Sequence, residues 1–359
     1  MDRSRDPIPE TINGSMGLRQ LAGRLRAAYR GTDVTGRVAH FDAWTDRAFA
    51  PDTGETAYDH AKTVRDYYDL CGEFMVFGWG NSLHFAPLSS EESLEESQIR
   101  HQRLMIDKLE LREGMTVVDV GCGIGGPMRR VVREGGVRVV GVNNSDLQLD
   151  KARSLNAEAG LDHMVDYFAG SFMDMSPIAD HTFDRGYAIE STCHAPDKAG
   201  AFAEICRILK PGALFWGQEM CLTDKFDPDD DRHRAIEQEL MHGIALNEIA
   251  TMGEVNLALE EAGFQVIEGM DRAVAQNSGV PWYRPMETRR GKLGDIPYRI
   301  PLGRKALIGA SRLAELVRTL PVGTADVIRL MDRTAMAYVA GGSTGIFTPL
   351  YCFLARKPL

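Results

Sequence analysis

The most constraining feature of this chain is a glycine-rich turn that joins a buried strand to a helix. The segment Thr116–Val120 has the apolar, β-branched character of a buried strand, and a helix is predicted at Pro127–Arg133. Between them lies the turn Gly121-Cys122-Gly123-Ile124-Gly125-Gly126. Glycines at such a junction allow a tight turn and a close approach of the backbone to a ligand. The chain is therefore expected to bind a small molecule at the carboxyl end of this strand.

Predicted strands and helices alternate after this turn, which is typical of a parallel α/β sheet. Strands are predicted at Thr116–Val120, Val137–Val142, Val165–Ala169, Phe183–Ile189, Ala213–Glu219, Phe264–Met270 and Pro349–Arg356. Helices are predicted at Leu18–Tyr29, Gln98–Leu109, Pro127–Arg133, Leu147–Ala159, Lys198–Leu209, Thr251–Ala262, Leu307–Leu320 and Ala325–Ala340. The pattern predicts a Rossmann-like α/β fold with a seven-stranded sheet.

Four parts of the chain differ in pattern, and we expect each to form a different part of the fold. Residues 1–60 are predicted to be an N-terminal helical arm, and residues 61–272 the core with an aromatic cap segment. Residues 273–346 do not alternate and contain several prolines, so we expect a helical insertion there. Residues 347–359 are expected to return to the sheet as its final strand.

Composition excludes several functional classes. The formal net charge of −10, without a dense basic run, argues against nucleic-acid binding. The six cysteines are scattered without a C-x-x-C pair, so neither a zinc site nor a disulfide framework is expected. No apolar run reaches the ~20 residues of a membrane helix, and the charged N-terminus does not resemble a signal peptide. We expect a cytoplasmic protein whose contact with a membrane, if any, is peripheral.

Two features favour S-adenosylmethionine as the ligand of the turn around Gly121 and Gly123. Asp119 lies two residues before Gly121, where a carboxylate suits a ligand with a sulfonium and an ammonium but repels a pyrophosphate. The second strand is followed by Asn143-Asn144 instead of the acid that binds the ribose of NAD. A dinucleotide site and a merely structural glycine turn are the alternatives.

Other candidate cofactor contacts lie outside the turn. Ser171 and Phe172 follow the third strand, where an adenine could bind, and Gln98 is a further candidate. No metal site is expected, because methyl transfer from a sulfonium needs no Lewis acid. The acidic stretch Asp227–Asp231 is interpreted as a solvated surface.

Several motifs together resemble those of the sterol C-24 methyltransferases. The resemblance runs from about residue 58 to the C-terminus. Its motifs are Phe77–Phe85 (FGWGNSLHF), Asp119–Pro127 (DVGCGIGGP), Val142–Gln148 (VNNSDLQ), Tyr187–Pro196 (YAIESTCHAP), Thr223–Asp227 (TDKFD) and Gly345–Pro349 (GIFTP). Gln148, in the second-strand motif, joins the candidate cofactor contacts, whereas Tyr187 and Phe347 join the candidates for substrate binding.

The resemblance implies a class I methyltransferase fold with a helical substrate-binding insertion before the last strand. It also implies methyl transfer from S-adenosylmethionine to the side-chain alkene of a sterol, release of S-adenosylhomocysteine, and self-association. The sequence departs from the family at Met75, Val76 and Phe77, where the family has Tyr-Glu-Tyr, and at Ser171, where it has an acid. Another isoprenoid acceptor, such as a linear triterpene or a prenyl chain, therefore stays an alternative.

Methylation of an alkene requires a dry pocket with aromatic walls, because attack on the methyl group leaves a carbocation that water would quench. The aromatic segment supplies candidate wall residues in Phe74, Phe77, Trp79 and Phe85. Glu219, at the end of the fifth predicted strand, could also face the pocket.

The final proton needs a base, and two candidates stand four residues apart at the end of the fourth strand. One of Glu190 and His194 could accept the proton while the other orients it, with His84 as a third candidate. Glu190 could instead be a structural acceptor for nearby backbone groups. A non-catalytic lipid-binding protein would lack the turn or both of these residues, and the chain retains all of them.

Overall fold

A computed structural model describes residues 17–48, 60–275, 279–287 and 301–359, which fold into a central sheet with helices around it. The strands are β1 Thr116–Val120, β2 Arg138–Asn143, β3 Val165–Ala169, β4 Phe183–Ile189, β5 Leu209–Leu222, β6 Gln265–Asp271 and β7 Phe347–Arg356. The helices before the sheet are α1 Leu18–Ala28, α2 Val34–Ala48, α3 His60–Trp79 and α4 Leu94–Lys108. Those that follow are α5 Gly126–Gly135, α6 Asp146–Glu158, α7 Lys198–Ile208, α8 Asp231–Ile244, α9 Met252–Glu261, α10 Arg272–Ala275, α11 Pro301–Leu316 and α12 Thr324–Thr344.

The seven strands form one sheet in the order β3-β2-β1-β4-β5-β7-β6. Strands β1 to β5 pair in parallel, whereas β7 runs antiparallel to both β5 and β6. The predicted seven-stranded α/β fold is confirmed. From β1 the chain fills one side of the sheet with β2 and β3 and then crosses to the other side with β4 and β5. The carboxyl ends of β1 and β4 therefore lie at a topological switch point, where ligands bind in such sheets.

The glycine turn after β1 depends on how closely β4 approaches it. Gly121 has a φ of +79°, and a Cβ at this position would lie 2.2 Å from the Cβ of Ser191. The Ser191 hydroxyl donates a hydrogen bond to the carbonyl of Val120. A side chain at position 121 would clash with Ser191, so only glycine allows this turn to pack against the segment that follows β4.

Most predicted elements agree with the structure to within a few residues, but four of the described helices have no predicted counterpart: α2, α3, α8 and the short α10. The aromatic segment forms most of α3, which had not been predicted as a helix. Helix α8 begins at Asp231 in the predicted polar loop, where the side chain of Asp230 accepts hydrogen bonds from the backbone of Arg232 and His233. Parts of the predicted N-terminal arm and insertion, at 1–16, 49–59, 276–278 and 288–300, lie outside the described residues.

Helices from both ends of the chain form one layer beside the sheet. Helix α12 packs against α2, α3, α8 and α11, and also against β7. One apolar core lies between this layer and the sheet edge, and it includes Met220, Leu240, Trp282, Tyr338 and Phe347. None of the helices described is both long and apolar enough to cross a membrane.

Candidate active site

A cavity of about 170 Å³ lies at the carboxyl ends of β1 to β4, and we call it the sheet-edge cavity. Eight of the nine predicted cofactor contacts line it. They are Asp119, Gly121, Gly123, Asn143, Asn144, Gln148, Ser171 and Phe172. These residues come from three separate segments, and the parallel strands bring them to one edge of the sheet.

Asp119 gives the sheet-edge cavity its negative character. Its side chain is 3% exposed, and its Oδ2 accepts a hydrogen bond from the Tyr187 hydroxyl at 2.7 Å. Burial raises the pKa of Asp119 to about 7, because removal from water disfavours the carboxylate. A ligand cation in the cavity would stabilise the charged form. The carboxylate therefore fits a cationic ligand such as S-adenosylmethionine.

Amide groups and open backbone complete the polar part of this cavity. The Asn143 amide donates to Gln148 Oε1 at 2.8 Å, so that both side chains are oriented at the start of α6. Gly123 has a φ of +51°, and apart from its two neighbours in the chain no residue places an atom within 4 Å of where its Cβ would be. A ligand can thus reach the backbone of the turn directly.

A second cavity, of about 200 Å³, lies among the helices, and we call it the helix-lined cavity. Its lining is mostly aromatic and methionine side chains. The residues are Tyr67, Tyr68, Phe74, Met75, Gly78, Trp79, Leu83, His84, Phe85, Glu190, Met220, Ile244, Met286, Met331, Thr334, Ala335 and Tyr338. Phe85 makes edge contacts with Trp79, Trp282 and Tyr338. This surface suits an apolar molecule.

The two cavities share part of their walls. Tyr68, Leu83, His84 and Glu190 line both of them. A polar ligand at the sheet edge and an apolar ligand among the helices would therefore meet at these four side chains.

Glu190 stands at this shared wall in an unusual backbone conformation. Its φ is +51°, which is uncommon for a residue with a side chain. Its Oε1 accepts hydrogen bonds from the Phe85 N–H and from Gln218 Nε2, both at 2.6 Å. Burial is the main cause that raises the pKa of Glu190 to about 8. The side chain is therefore a backbone acceptor, as the structural alternative required, and also a carboxyl group poised to titrate near neutral pH.

Gln218 connects Glu190 to a buried polar network that the sequence analysis missed. The Gln218 side chain also donates to the carbonyls of Phe85 and Pro349, and its Oε1 lies 2.7 Å from His101 Nε2. No motif marked this residue, because it is one of many positions in a continuous buried strand. The network fixes the orientation of the Glu190 carboxyl group.

His194 lies in a short 3₁₀ turn, Thr192–His194, directly after β4. Its Nε2 is 3.1 Å from the Tyr68 hydroxyl, and it lines the sheet-edge cavity. Glu219 holds this turn in place. Its carboxylate accepts a hydrogen bond from the Thr192 hydroxyl and forms a salt bridge with Lys198 at 3.1 Å. Glu219 is fully buried and does not line either cavity, so it faces the turn and not the predicted pocket.

His84 lines both cavities, but both of its ring nitrogens are engaged. Nδ1 is 2.8 Å from the Phe85 carbonyl and must donate to it, which leaves Nε2 to accept from Gln102 Nε2 at 2.8 Å. Burial lowers the pKa of His84 to about 4, so the ring is neutral at pH 7. This geometry suits a structural role for His84 better than the predicted role in proton transfer.

Four further predicted residues lie behind the cavity walls. Gln98 donates to the carbonyls of Ser82 and His84. Phe77 packs with the α1–α3 core, and Tyr187 supports Asp119 from within the sheet. Phe347 makes an edge contact with the Trp282 ring and a tilted contact with the Tyr338 ring. The predicted wall residues that do line the helix-lined cavity are Phe74, Trp79 and Phe85.

Comparison with known proteins identifies the family. The methyltransferase domain family matches residues 118–217, and the sterol methyltransferase C-terminal family matches residues 300–359. Cycloartenol-C-24-methyltransferase of Arabidopsis thaliana is 40% identical over 304 residues, which cover 85% of this chain and 89% of the plant protein. The chain belongs to the sterol 24-C-methyltransferase family. Sterol 24-C-methyltransferase of Saccharomyces cerevisiae is 34% identical and covers 99% of this chain and 93% of its own length.

Solved structures agree at the level of the fold. Geranyl diphosphate C-methyltransferase from Streptomyces coelicolor, solved with S-adenosylhomocysteine, has a TM-score of 0.57 and 18% identity, over 85% of this chain and all of its own. A cyclopropane synthase from Mycobacterium tuberculosis has a TM-score of 0.63 and 20% identity, over 84% of this chain and all of its own. The protein is an S-adenosylmethionine-dependent C-methyltransferase, and S-adenosylmethionine is its cofactor.

Proposed function

We propose that this enzyme transfers a methyl group to the C-24 side-chain alkene of a sterol. The observation that carries the proposal is that the polar sheet-edge cavity and the apolar helix-lined cavity share a wall at Tyr68, Leu83, His84 and Glu190. The names of the relatives support a sterol as the acceptor. The proposed insertion, residues 273–346, would contribute the Met286, Met331, Thr334 and Tyr338 side of the acceptor cavity.

The sheet-edge cavity would bind the cofactor, which when bound supplies an electrophilic methyl group on a sulfonium. Asp119 would balance the positive charge of the cofactor, and the backbone at Gly121 and Gly123 would allow close approach. Asn143 and Asn144 would hydrogen-bond the ribose hydroxyls, with Gln148 fixing the Asn143 amide. Ser171 and Phe172 would lie against the adenine.

The helix-lined cavity would exclude water from the reacting alkene. The π electrons of the double bond form the new carbon–carbon bond, and the carbon–sulfur bond breaks with its electron pair on sulfur. The positive charge is left on the acceptor. Aromatic faces of Trp79, Phe85 and Tyr338 at the wall stabilise such a charge and offer no water to quench it.

Glu190 would then remove the proton that completes the reaction. A cation beside this carboxyl group favours its ionised form and offsets the effect of burial on its pKa. The carboxylate accepts the proton, the electrons of the broken C–H bond form the new alkene, and the charge is neutralised. The Phe85 N–H and Gln218 keep Glu190 Oε1 in place, which leaves Oε2 for the substrate.

Tyr68 and His194 would act together as a second polar group at the shared wall. The Tyr68 hydroxyl lies at both cavities and reaches His194 Nε2, so the pair can orient the alkene or relay the proton away from Glu190. His84 and Gln98 would position the loop that carries Phe85, and Glu219 would position the turn that carries His194.

A second acceptor class is favoured by one residue of the wall. Met75 lines the helix-lined cavity where the family has a tyrosine, so the hydroxyl of that tyrosine is missing here. A more flexible and less polar wall would also suit another isoprenoid, such as a linear triterpene or a prenyl chain.

The test is an incubation of the purified enzyme with methyl-labelled S-adenosylmethionine and a panel of acceptors. The panel would contain sterols with and without a C-24 double bond, a linear triterpene and a prenyl alcohol. We expect label only in the sterols with that double bond. Label in the linear isoprenoids alone would establish the second acceptor class, and label in none would refute both.

A further inference from the structure

Helix α11 packs on α12 through a side that carries polar contacts and half-buried apolar side chains, and its outward side is also apolar. Arg304 pairs with Asp332 of α12 at 2.8 Å, and the Glu315 carboxylate accepts from the Ala325 N–H at 2.6 Å. Ser311, on the same side, is 5% exposed. A surface helix normally has polar residues on its outward side, whereas α11 has large apolar side chains there.

The outward face of α11 is a continuous apolar stripe. Ala306, Gly309 and Ala310 are exposed, and they follow the i, i+3, i+4 spacing of one helix face. The stripe continues through Leu313, Leu316 and Val317, which are 62%, 79% and 60% exposed. Val322, in the turn to α12, is 70% exposed. Exposed apolar patches of this kind mark interaction surfaces.

Basic side chains border this stripe, although the chain as a whole has a net charge of −10. Lys305 and Arg312 lie seven residues apart on one edge, and Arg318 follows the end of the helix; all three are exposed. The acidic side chain of α11, Glu315, is turned inward to α12. The exposed surface therefore combines apolar and cationic groups, the combination that binds an anionic bilayer.

The position of this surface relative to the acceptor cavity supports the same partner. Helix α12 lies directly beneath α11, and its residues Met331, Thr334, Ala335 and Tyr338 line the helix-lined cavity. One helix thus separates the exposed apolar stripe from the wall of the site.

We propose that the outward face of α11, with Val322, docks the enzyme on an anionic lipid surface. This inference rests on the proposed function in one respect, since a sterol or another isoprenoid acceptor is itself dissolved in a bilayer. The cationic edge favours a lipid surface over a second copy of this chain, whose corresponding face would carry the same basic residues and repel it.

The experiment is co-sedimentation of the full chain with vesicles of phosphatidylcholine alone or with about one-third phosphatidylglycerol. We expect binding to the anionic vesicles that weakens as salt is raised. The variant Leu313→Ser/Leu316→Ser should bind at least about tenfold more weakly. The variant Lys305→Gln/Arg312→Gln should lose about fivefold for each charge removed.

A matched control changes two exposed apolar residues elsewhere, Leu257→Ser/Ile267→Ser, which are 55% and 46% exposed in the wild type. This control should bind vesicles like the wild type. Equal binding by all variants would overturn the proposal. So would a lipid-free sedimentation experiment in which Leu313→Ser/Leu316→Ser dissociates an oligomer while vesicle binding is unchanged.

Failure of the proposed function can be told apart from failure of this surface. Methyl transfer to detergent-dispersed acceptor should be unchanged in the α11 variants, because α11 does not contribute to the cavity lining in the described residues. If the wild type transfers no methyl group but binds anionic vesicles through these residues, the docking surface is supported and the proposed acceptor is refuted.

Discussion

The sheet-edge cavity and the helix-lined cavity are built in different ways. The first is made where parallel strands end: Asp119 and Asn143 lie in the last two residues of their strands, and Gly121 follows β1. The second is made from α3 with the loop around Phe85 that follows it, from α8 and from α12, and these three parts are far apart in the chain. On the proposed assignment, binding of the methyl donor would depend on the backbone at the sheet edge, whereas recognition of the acceptor would depend on side chains that helix packing brings together.

This difference separates two kinds of variant. A change in the sheet-edge cavity should alter cofactor binding through charge and backbone geometry. A change in the helix-lined cavity should alter the acceptor through apolar contact. A change at the shared wall should affect turnover more than either binding step.

Glu190→Gln at the shared wall is expected to have the largest effect. It removes the proposed base but keeps the shape of the side chain, so turnover should fall about a hundredfold or more while S-adenosylhomocysteine binds nearly as before. Because the carboxylate is the active form and burial raises its pKa to about 8 in the ligand-free enzyme, wild-type kcat/KM should rise with pH through that value. Turnover by steady-state kinetics and affinity by calorimetry are the measurements.

Circular dichroism provides the control for Glu190→Gln, because the residue also accepts from the Phe85 backbone. If the variant is folded and its turnover is nearly normal, Glu190 is not the base.

Asp119→Asn should weaken S-adenosylhomocysteine binding by about fiftyfold, since the ligand's ammonium loses a buried charged partner. In the wild type, affinity should rise about tenfold between pH 6 and pH 8 as the Asp119 carboxyl, whose pKa is about 7, becomes charged. The asparagine variant should lack this pH dependence. Calorimetry with S-adenosylhomocysteine across this pH range is the measurement. If Asp119→Asn binds this ligand as tightly as the wild type does, the proposed contact is refuted.

Trp79→Leu tests the acceptor side with Phe77→Leu as its matched control. Trp79 lines the helix-lined cavity, so its loss should raise the KM for acceptor about tenfold through lost aromatic contact. Phe77 packs against the α1–α3 core, so Phe77→Leu should lower the melting temperature and leave the acceptor KM nearly unchanged. The opposite pattern would show that the cavity wall has been assigned to the wrong face of α3.

Tyr68→Phe should have the smallest effect on turnover, about fivefold, because it removes one hydrogen bond to His194 and keeps the ring. The same variant combined with His194→Ala should be no slower than His194→Ala alone, since the two side chains act as one unit. Additive losses in this double-mutant cycle would show that they act separately.

The sequence allowed most of the sheet-edge cavity to be predicted, because its residues lie in short contiguous motifs after predicted strands. It allowed less of the helix-lined cavity. Trp79 and Phe77 are two residues apart in one motif, but α3 turns them to different surroundings, and the helix itself had not been predicted. No short motif marks Gln218 or Tyr338 in the sequence. Gln218 bonds to residues more than a hundred positions away, and Tyr338 reaches the cavity wall only through helix packing.

Binding of a charged reaction mimic tests the central claim most directly: that the shared wall at Glu190 stabilises a positive charge on the acceptor. The mimic is a sterol whose side chain carries an ammonium near the C-24 position, measured by calorimetry with S-adenosylhomocysteine present. We expect it to bind at least about tenfold more tightly than the neutral sterol, and to lose this advantage in Glu190→Gln. Equal affinity of the charged and neutral sterols for the wild type would contradict the account.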